Sequence, residues 1–146
     1  MQTTVSDELV SLIVFGFNQA DIIDRSITAA FAQTYPNLEI VLSDNCSDDG
    51  TFDVMRRMAK AYDGPHRIRL NRNLRNLGFI GHVNKAFELC SGVLIVYNPG
   101  DDISDPERAS TLYDAFKVDR PLLVHSDAVE MDADGTLTDD VYSPKD

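Results

Sequence analysis

The sequence predicts an α/β chain: three layers, α/β/α, around a mostly parallel sheet. Short apolar runs rich in β-branched residues alternate with stretches whose apolar residues recur at helical spacing. Strand and helix follow one another in turn from residue 9 to residue 125. That order builds a parallel sheet with helices on both faces.

Leu9 to Phe15 is a buried strand, broken by Gly16 and Asn18. Ile22, Ile23, Ile27, Ala30 and Phe31 mark a helix over Ala20–Thr34, which Tyr35-Pro36-Asn37 stops. Leu38 to Leu42 is the second strand, followed by the polar loop Ser43–Gly50. Phe52, Met55, Met58 and Ala59 give one face of a helix over Thr51–Tyr62, and Gly64-Pro65 ends that segment. Arg67–Leu70 is a short third strand and Asn71–Gly78 a polar turn. Phe79–Cys90 reads as the third helix and Val93–Tyr97 as the fourth strand. After the acidic loop 98–104, Asp105-Pro106-Glu107 has the form of an N-cap with proline at the first helical position. That helix runs to about Phe116, and Pro121–His125 starts a fifth strand. Asp134-Gly135 is a hairpin-turn dipeptide within Val129–Leu137.

At 146 residues and 43% hydrophobic, the chain suits one domain with a packed core. No apolar run approaches the roughly 20 residues of a membrane-spanning helix. The first residues lack a basic-then-apolar leader, so the expected compartment is the cytoplasm. Cys46 and Cys90 form no CxxC pair and are expected as reduced thiols. The net charge is −11 and uneven. Residues 1–97 carry 9 basic and 11 acidic side chains, residues 98–146 carry 4 and 13. Such a surface repels nucleic acid. The acidic second half suits a cation site, and equally a solvated surface.

In a parallel sheet, ligands sit beyond the carboxyl ends of the strands. The loops 15–19, 43–50 and 97–105 therefore hold the first candidates. Asp101-Asp102, after the tight turn that Gly100 permits, can hold Mg²⁺ or Mn²⁺ beside a diphosphate, or can simply cap the next helix. In Ser43–Thr51, Asp44 and Asn45 can reach a base or ribose while Asp49 caps the helix. His66, Arg67, Arg69, Arg72 and Arg75 form a basic stretch, read mainly as a charged strand edge, with Arg72 and Arg75 better placed for phosphate. Asn76, Gly78 and His82 stand at a helix start where backbone N–H groups are open to an anion. His82 reads equally as a ligand contact and as a structural histidine. No Ser/His/Asp triad, Walker A loop or GxGxxG fingerprint is present.

Three blocks together resemble family-2 glycosyltransferases. They are Val10-Ser11-Leu12-Ile13-Val14 with Asn18, Gln33-Thr34-Tyr35-Pro36-Asn37-Leu38-Glu39-Ile40, and Ser43-Asp44-Asn45-Cys46-Ser47-Asp48-Asp49-Gly50-Thr51. Asn76-x-Gly78 with Asn84-Lys85-Ala86, and Gly100-Asp101-Asp102-Ile103 with Pro106, match two further elements of that family, the latter its DxD-like motif. The resemblance covers residues 9 to about 137. It implies a Rossmann-like GT-A fold, a nucleotide-diphospho-sugar donor, Mn²⁺ or Mg²⁺, and an inverting single displacement onto an acceptor hydroxyl of a glycan, lipid or protein. It places the metal on Asp101 and Asp102. It places the nucleotide on Phe15, Gly16, Phe17, Asp44, Asn45 and Asp101, to which the reading of the helix start adds Asn76, Gly78 and His82.

The departures are specific. The family's PTYN is Phe15-Gly16-Phe17-Asn18, the second acid of its VDDGS block is Asn45, and the first acid of its DxD is Pro99. Only 44 residues follow Asp102. The family's general base lies well beyond the DxD motif. The expectation is therefore residues 1–8 as an N-terminal extension and 9–146 as an incomplete GT-A donor domain, truncated before the acceptor and base segment. Asp127, Asp132 and Asp134 are available acids, and no catalytic residue is assigned. An exposed apolar face and self-association follow from such truncation. The expected role is sugar transfer in cell-surface polysaccharide or glycan synthesis, in the cytoplasm or at the inner face of the membrane. The competing reading is a nucleotide-binding or interaction module that performs no chemistry.

Overall fold

Val10–Gly16 (β1) and Leu38–Asp44 (β2) are buried along their whole length. Only a strand covered on both faces is buried in this way, which explains their unbroken apolar runs. The computed structural model describes residues 8–142. Arg67–Arg72 (β3) pairs with β2, and Leu94–Pro99 (β4) pairs with β1, all parallel. The sheet order is β3-β2-β1-β4. Leu12 lies between Ile40 and Val96 in register.

The helices are Ile23–Phe31 (α1), Thr51–Ala61 (α2), Gly78–Phe87 (α3) and Arg108–Asp119 (α4). Side chains alternate across a strand, so β1 feeds two cores. Val10, Leu12 and Val14 pack with Ile23, Ile27 and Ala30 of α1, Met55 of α2, and Leu112, Tyr113 and Phe116 of α4. Ile13 and Phe15 pack on the other face with Val83 and Ala86 of α3. Three helices on one face and one on the other complete the three layers.

The block at 33–36 joins α1 to α4. Gln33 donates from Nε2 to the Asp105 carbonyl at 2.7 Å and accepts at Oε1 from Ala109 N–H at 3.0 Å. Thr34 N–H donates to the Pro106 carbonyl at 2.9 Å. The Tyr35 ring lies 5.0 Å from that of Tyr113. His66 Nε2 donates to the Gln33 carbonyl at 2.9 Å, so this isolated histidine is structural. Glu8 is tied to the same layer by Arg120 at 2.6 Å.

At the other edge, the buried Glu39 carboxylate accepts from Ser11 Oγ and from Ser91 N–H, each at 2.5 Å. Gly92 N–H then donates to Ser11 Oγ at 2.8 Å. The turn between α3 and β4 is thereby fastened to β1 and β2. Arg67 and Arg69 lie on the exposed edge strand, where Arg67 bonds Asn37 and Arg69 bonds the Leu89 carbonyl.

One expected element does not form. Residues 121–127 contain no strand, so the parallel sheet has four strands and not five. Arg120 takes a left-handed conformation (φ 46°) and Pro121 has no N–H to give a ladder. Val124 packs against the core, while Leu122 and Leu123 are exposed. Ala128–Met131 (β5) and Leu137–Tyr142 (β6) form the expected hairpin, with Gly135 at φ 91°. Cys46 and Cys90 carry free thiols. Among the described residues no helix is long and apolar enough to cross a membrane.

Candidate functional site

Chain order reverses direction between β1 and β4, since β2 and β3 lie on one side of β1 and β4 on the other. A crevice opens beyond the carboxyl ends of two such strands. A cleft of about 340 Å³ occupies that place. Phe15 and Gly16 at the end of β1, and Tyr97 and Pro99 at the end of β4, form its floor; Phe17, Asn45, Asn76, Gly78, Phe79, His82, Gly100 and Asp101 complete its walls with Gln19. Every nucleotide-binding candidate except Asp44 lines this one cavity. Its size falls within the range of small-molecule sites.

The loops 16–20 and 43–51 are laced together. Asn18 N–H donates to Ser47 Oγ at 2.9 Å, Gln19 N–H to Thr51 Oγ1 at 2.8 Å, and Ala20 N–H to Asp49 Oδ2 at 3.0 Å. Asp48 N–H returns a bond to Asn18 Oδ1 at 3.1 Å. Asp49 also accepts from Thr51 N–H at 2.9 Å, but the N-cap position of α2 falls on Gly50 (φ 97°) and not on Asp49 as the sequence suggests. Burial acts to raise Asp49's pKa, but the hydrogen bonds from Thr51 and Ala20 together outweigh it and hold the carboxyl below its ordinary value. The polar side chains of this block therefore position the neighbouring loop.

Asp44 is part of that scaffold. It is fully buried; Ser47 donates to it from N–H at 3.0 Å and from Oγ at 2.5 Å, and Arg72 Nε lies 3.5 Å away. It does not reach the cleft, contrary to its reading as a ligand contact. Position alone suggested a ligand; burial beneath Ser47 and Arg72 decides otherwise. Arg72 is engaged by Asp44, by the Ser47 carbonyl at 2.8 Å and by the Phe52 ring. With Arg75 and Lys85 it borders a separate depression outside the cleft.

Asn45 reaches the cleft but is nearly buried, at 4% exposure. Its amide holds the 73–78 loop through Asn73, Asn76, Leu77 and Gly78. His82 is held within the fold and also borders the cleft. Its Nε2 lies 2.8 Å from Ser43 Oγ, its ring meets Phe15 edge-on at 5.1 Å, and it lines the cleft. Burial lowers its pKa, while the Asp44 charge and a backbone bond with Ser43 oppose the shift.

The acidic loop is built around two residues that sequence reasoning passed over. Asn98 is 1% exposed. Its Nδ2 donates to Ser26 Oγ at 2.7 Å and to the Pro99 carbonyl at 3.1 Å, and its Oδ1 accepts from Ser104 Oγ at 2.5 Å. Arg108 Nη1 donates to the Tyr97 carbonyl at 3.0 Å and to Ser104 Oγ at 3.1 Å. Burial and the Asp101 charge raise the Asp102 pKa, and Arg108 opposes them. Tyr97 is raised by burial, then by Asp102 and Asp101. Two neighbouring carboxylates are a hard-oxygen donor set suited to a divalent cation. Among the described residues no three His, Cys, Asp or Glu side chains converge as a metal cage. A cation here would take its other ligands from water and phosphate, as Mg²⁺ commonly does.

Known proteins resemble this chain in sequence and in fold. The model of "Glycosyl transferase family 2" matches residues 11–135. An uncharacterized glycosyltransferase of Haemophilus influenzae is 37% identical over 98 residues, covering 67% of this chain and 29% of its own length. The Escherichia coli glucosyltransferase WfaP, which uses UDP-Glc and α-D-GlcNAc-diphosphoundecaprenol, is 33% identical over 95 residues, covering 65% and 36%. The Pyrobaculum calidifontis mannosyltransferase PcManGT, solved with GDP-Man and Mn²⁺, superposes with a TM-score of 0.67 at 27% identity, over 77% of this chain and 32% of that one. Staphylococcus aureus TarS in complex with UDP-GlcNAc shares the fold, with a TM-score of 0.61 at 23% identity over 74% and 30%. This chain thus spans about a third of the length of these relatives. By the family match across most of its residues, the chain belongs to glycosyl transferase family 2.

Proposed function

We propose that this chain is the donor-binding part of an inverting glycosyltransferase. It would bind a nucleotide-diphospho-sugar with Mn²⁺ or Mg²⁺ and direct the sugar to an acceptor hydroxyl on a glycan, lipid or protein. One observation carries the reading: a single cleft at the reversal of strand order gathers Phe15, Phe17, Asn45, Asn76, Gly78, His82 and Asp101. The aromatic rings of Phe15, Phe17 and Tyr97 suit a base, and Asp101 and Asp102 suit a cation at the diphosphate. The cation would neutralise charge on the leaving nucleoside diphosphate as a Lewis acid. Asn98 and Arg108 hold the acidic loop in place for that role. PcManGT bound to GDP-Man and Mn²⁺ supports this reading.

We assign no general base within the chain: Asp127, Asp132 and Asp134 do not line the cleft. Residues 9–146 are read as the donor domain. WfaP acts on a diphosphoundecaprenol acceptor, which supports a place in cell-surface glycan synthesis at the cytoplasmic face of a membrane. Val118, Leu122 and Leu123 are exposed and offer an apolar face for self-association. Sedimentation velocity would show it as a concentration-dependent shift, and a strict monomer would remove that part of the reading.

Titration calorimetry with UDP, TDP and GDP, with and without Mn²⁺, tests the proposal. The expected result is metal-dependent binding that Asp101→Ala abolishes. Equal binding without metal would favour a module that holds nucleotide without chemistry, and no binding would refute both readings.

A further inference from the structure

Between Asp63 and Glu88 the chain carries Arg67, Arg69, Arg72, Arg75 and Lys85 and no acidic residue. Elsewhere acids outnumber bases 24 to 8. These cations sit on the edge strand β3 and on the loop and helix that follow it. Arg72 is paired with the buried Asp44, and Lys85 with the exposed Glu88 at 3.4 Å, a surface pair of little strength. Among the described residues no carboxylate pairs with Arg67, Arg69 or Arg75.

The loop after β3 holds an apolar side chain out beside them. Leu74 is completely exposed. Its backbone is nevertheless fixed. Asn73 N–H donates to the Asp44 carbonyl at 2.9 Å, and Asn73 Nδ2 donates to Asn45 Oδ1 at 3.0 Å. Leu77 N–H donates to the same Asn45 oxygen at 3.0 Å. The loop is thus pinned before and after Leu74. Arg72, Arg75, Leu77 and Lys85 border one depression of about 540 Å³ with that leucine. The amides in its lining, Asn71 and Asn73, already bond each other, Ser43 and Asn45, so they form no cradle for a single anion. A fixed apolar tip among spread, unpaired cations is the chemistry of a charged lipid interface.

We propose that this face docks on an anionic lipid bilayer. Leu74 enters the interface, Arg75 and Lys85 meet the headgroups, and Arg67 and Arg69 add attraction at longer range. Leu74 stands beyond the carboxyl end of β3, the end of the sheet at which the cleft opens, and Asn76 and Gly78 of the same segment line that cleft. Docking therefore holds the cleft beside the membrane surface. Asp48, Asp49, Asp101 and Asp102 stand at the same end on the loops after β2 and β4, so it is the β3 side that meets the lipid. The proposal deepens the membrane-side place given above and does not depend on which ligand fills the cleft.

The test is co-sedimentation with phosphatidylcholine vesicles containing about 30% phosphatidylglycerol, against phosphatidylcholine alone. Binding is expected to the anionic vesicles only, and should weaken at least about tenfold from low to high salt. Arg75→Ser and Lys85→Ser should each weaken it about fivefold, the attraction of one cation to an anionic surface. Leu74→Ser should weaken it too, whereas Leu122→Ser, at a fully exposed leucine outside this face, should not. Nucleotide titrations and melting curves should be unchanged in all four variants, since none of these residues lines the cleft. Sedimentation with neither vesicle, equal sedimentation with both, or affinity indifferent to Leu74→Ser and Arg75→Ser would overturn the proposal and leave the donor-binding reading to its own titrations. A melting temperature raised by inorganic phosphate without vesicle binding would overturn it in favour of a small-anion pocket.

Discussion

Asn98 Oδ1 and Ser104 Oγ lie 2.5 Å apart, and this bond draws the acidic loop into a closed ring around Asp101 and Asp102. The opposite end of the same amide is anchored on Ser26 of α1 at 2.7 Å. A buried amide with both ends bonded holds its neighbours in one geometry.

Asn98→Ala should therefore loosen the loop and leave buried groups unpaired. A loss of about 1–3 kcal/mol of stability is expected. Mn²⁺-dependent nucleotide binding should weaken more than metal-free binding. Urea unfolding and calorimetry measure the two effects separately, and unchanged metal-dependent affinity would refute the positioning role.

Gly100 leaves no room for a side chain. A Cβ there would meet the Phe15 carbonyl oxygen, and would come 2.5 Å from Gln19 Oε1. The backbone oxygen belongs to a buried strand and cannot withdraw. Gly100→Ala should cost about 1–3 kcal/mol as overpacking and shift Asp101 away from the cleft. A melting temperature equal to that of the parent protein would contradict this. Gly16→Ala should cost less, because the neighbours at 2.6 Å are the flexible ends of Ile23 and Met55.

Glu39 should be a determinant of folding and not of ligand binding. Its carboxylate serves Ser11 and Ser91 N–H, on a side of the sheet remote from the cleft lining. Glu39→Ala leaves both donors unpaired and should destabilise by about 1–3 kcal/mol. Nucleotide affinity measured well below the melting point should stay the same.

His82 predicts a pH dependence of stability. Burial first, against opposition from Asp44 and Ser43, keeps the folded pKa below the ordinary value. Above a pH of about 6.5 the ring is neutral in both states and contributes no slope. Below it the unfolded chain takes up the proton first, so stability falls until the folded ring also protonates. The slope cannot exceed about 1.4 kcal/mol per pH unit. Urea midpoints at pH 7.5, 6.5 and 5.5 should fall more steeply for the parent protein than for His82→Gln. Parallel curves would show that His82 does not titrate differently on folding.

Several of these features were open to reading from sequence, for identifiable reasons. β1 and β2 declare themselves because a strand covered on both faces must be apolar throughout. Gly135 declares itself because hairpin turns are local. The segment 121–125 misleads because its apolar pattern suits a strand, but a strand exists only with a partner along its edge. Asp44 misleads because its position beyond β2 is right for a ligand, and only the placement of Ser47 and Arg72 buries it. Asn98 and Arg108 left no local signal: one reads as the end of a strand, the other as a helical surface residue. Their importance comes from the loop that they close between them.

The lacing of Ser47, Asp49 and Thr51 onto Asn18–Ala20, and of Gln33 onto Asp105 and Ala109, separates two kinds of inheritance. The blocks that make this chain recognisable as a relative are mostly joinery. A descendant that had stopped binding sugar nucleotides would still need them to fold, and would still be recognised. Variation at 33–36 and 47–51 is therefore expected to follow the demands of the fold, whereas variation at 76 and 99–101 is expected to follow the ligand proposed for the cleft.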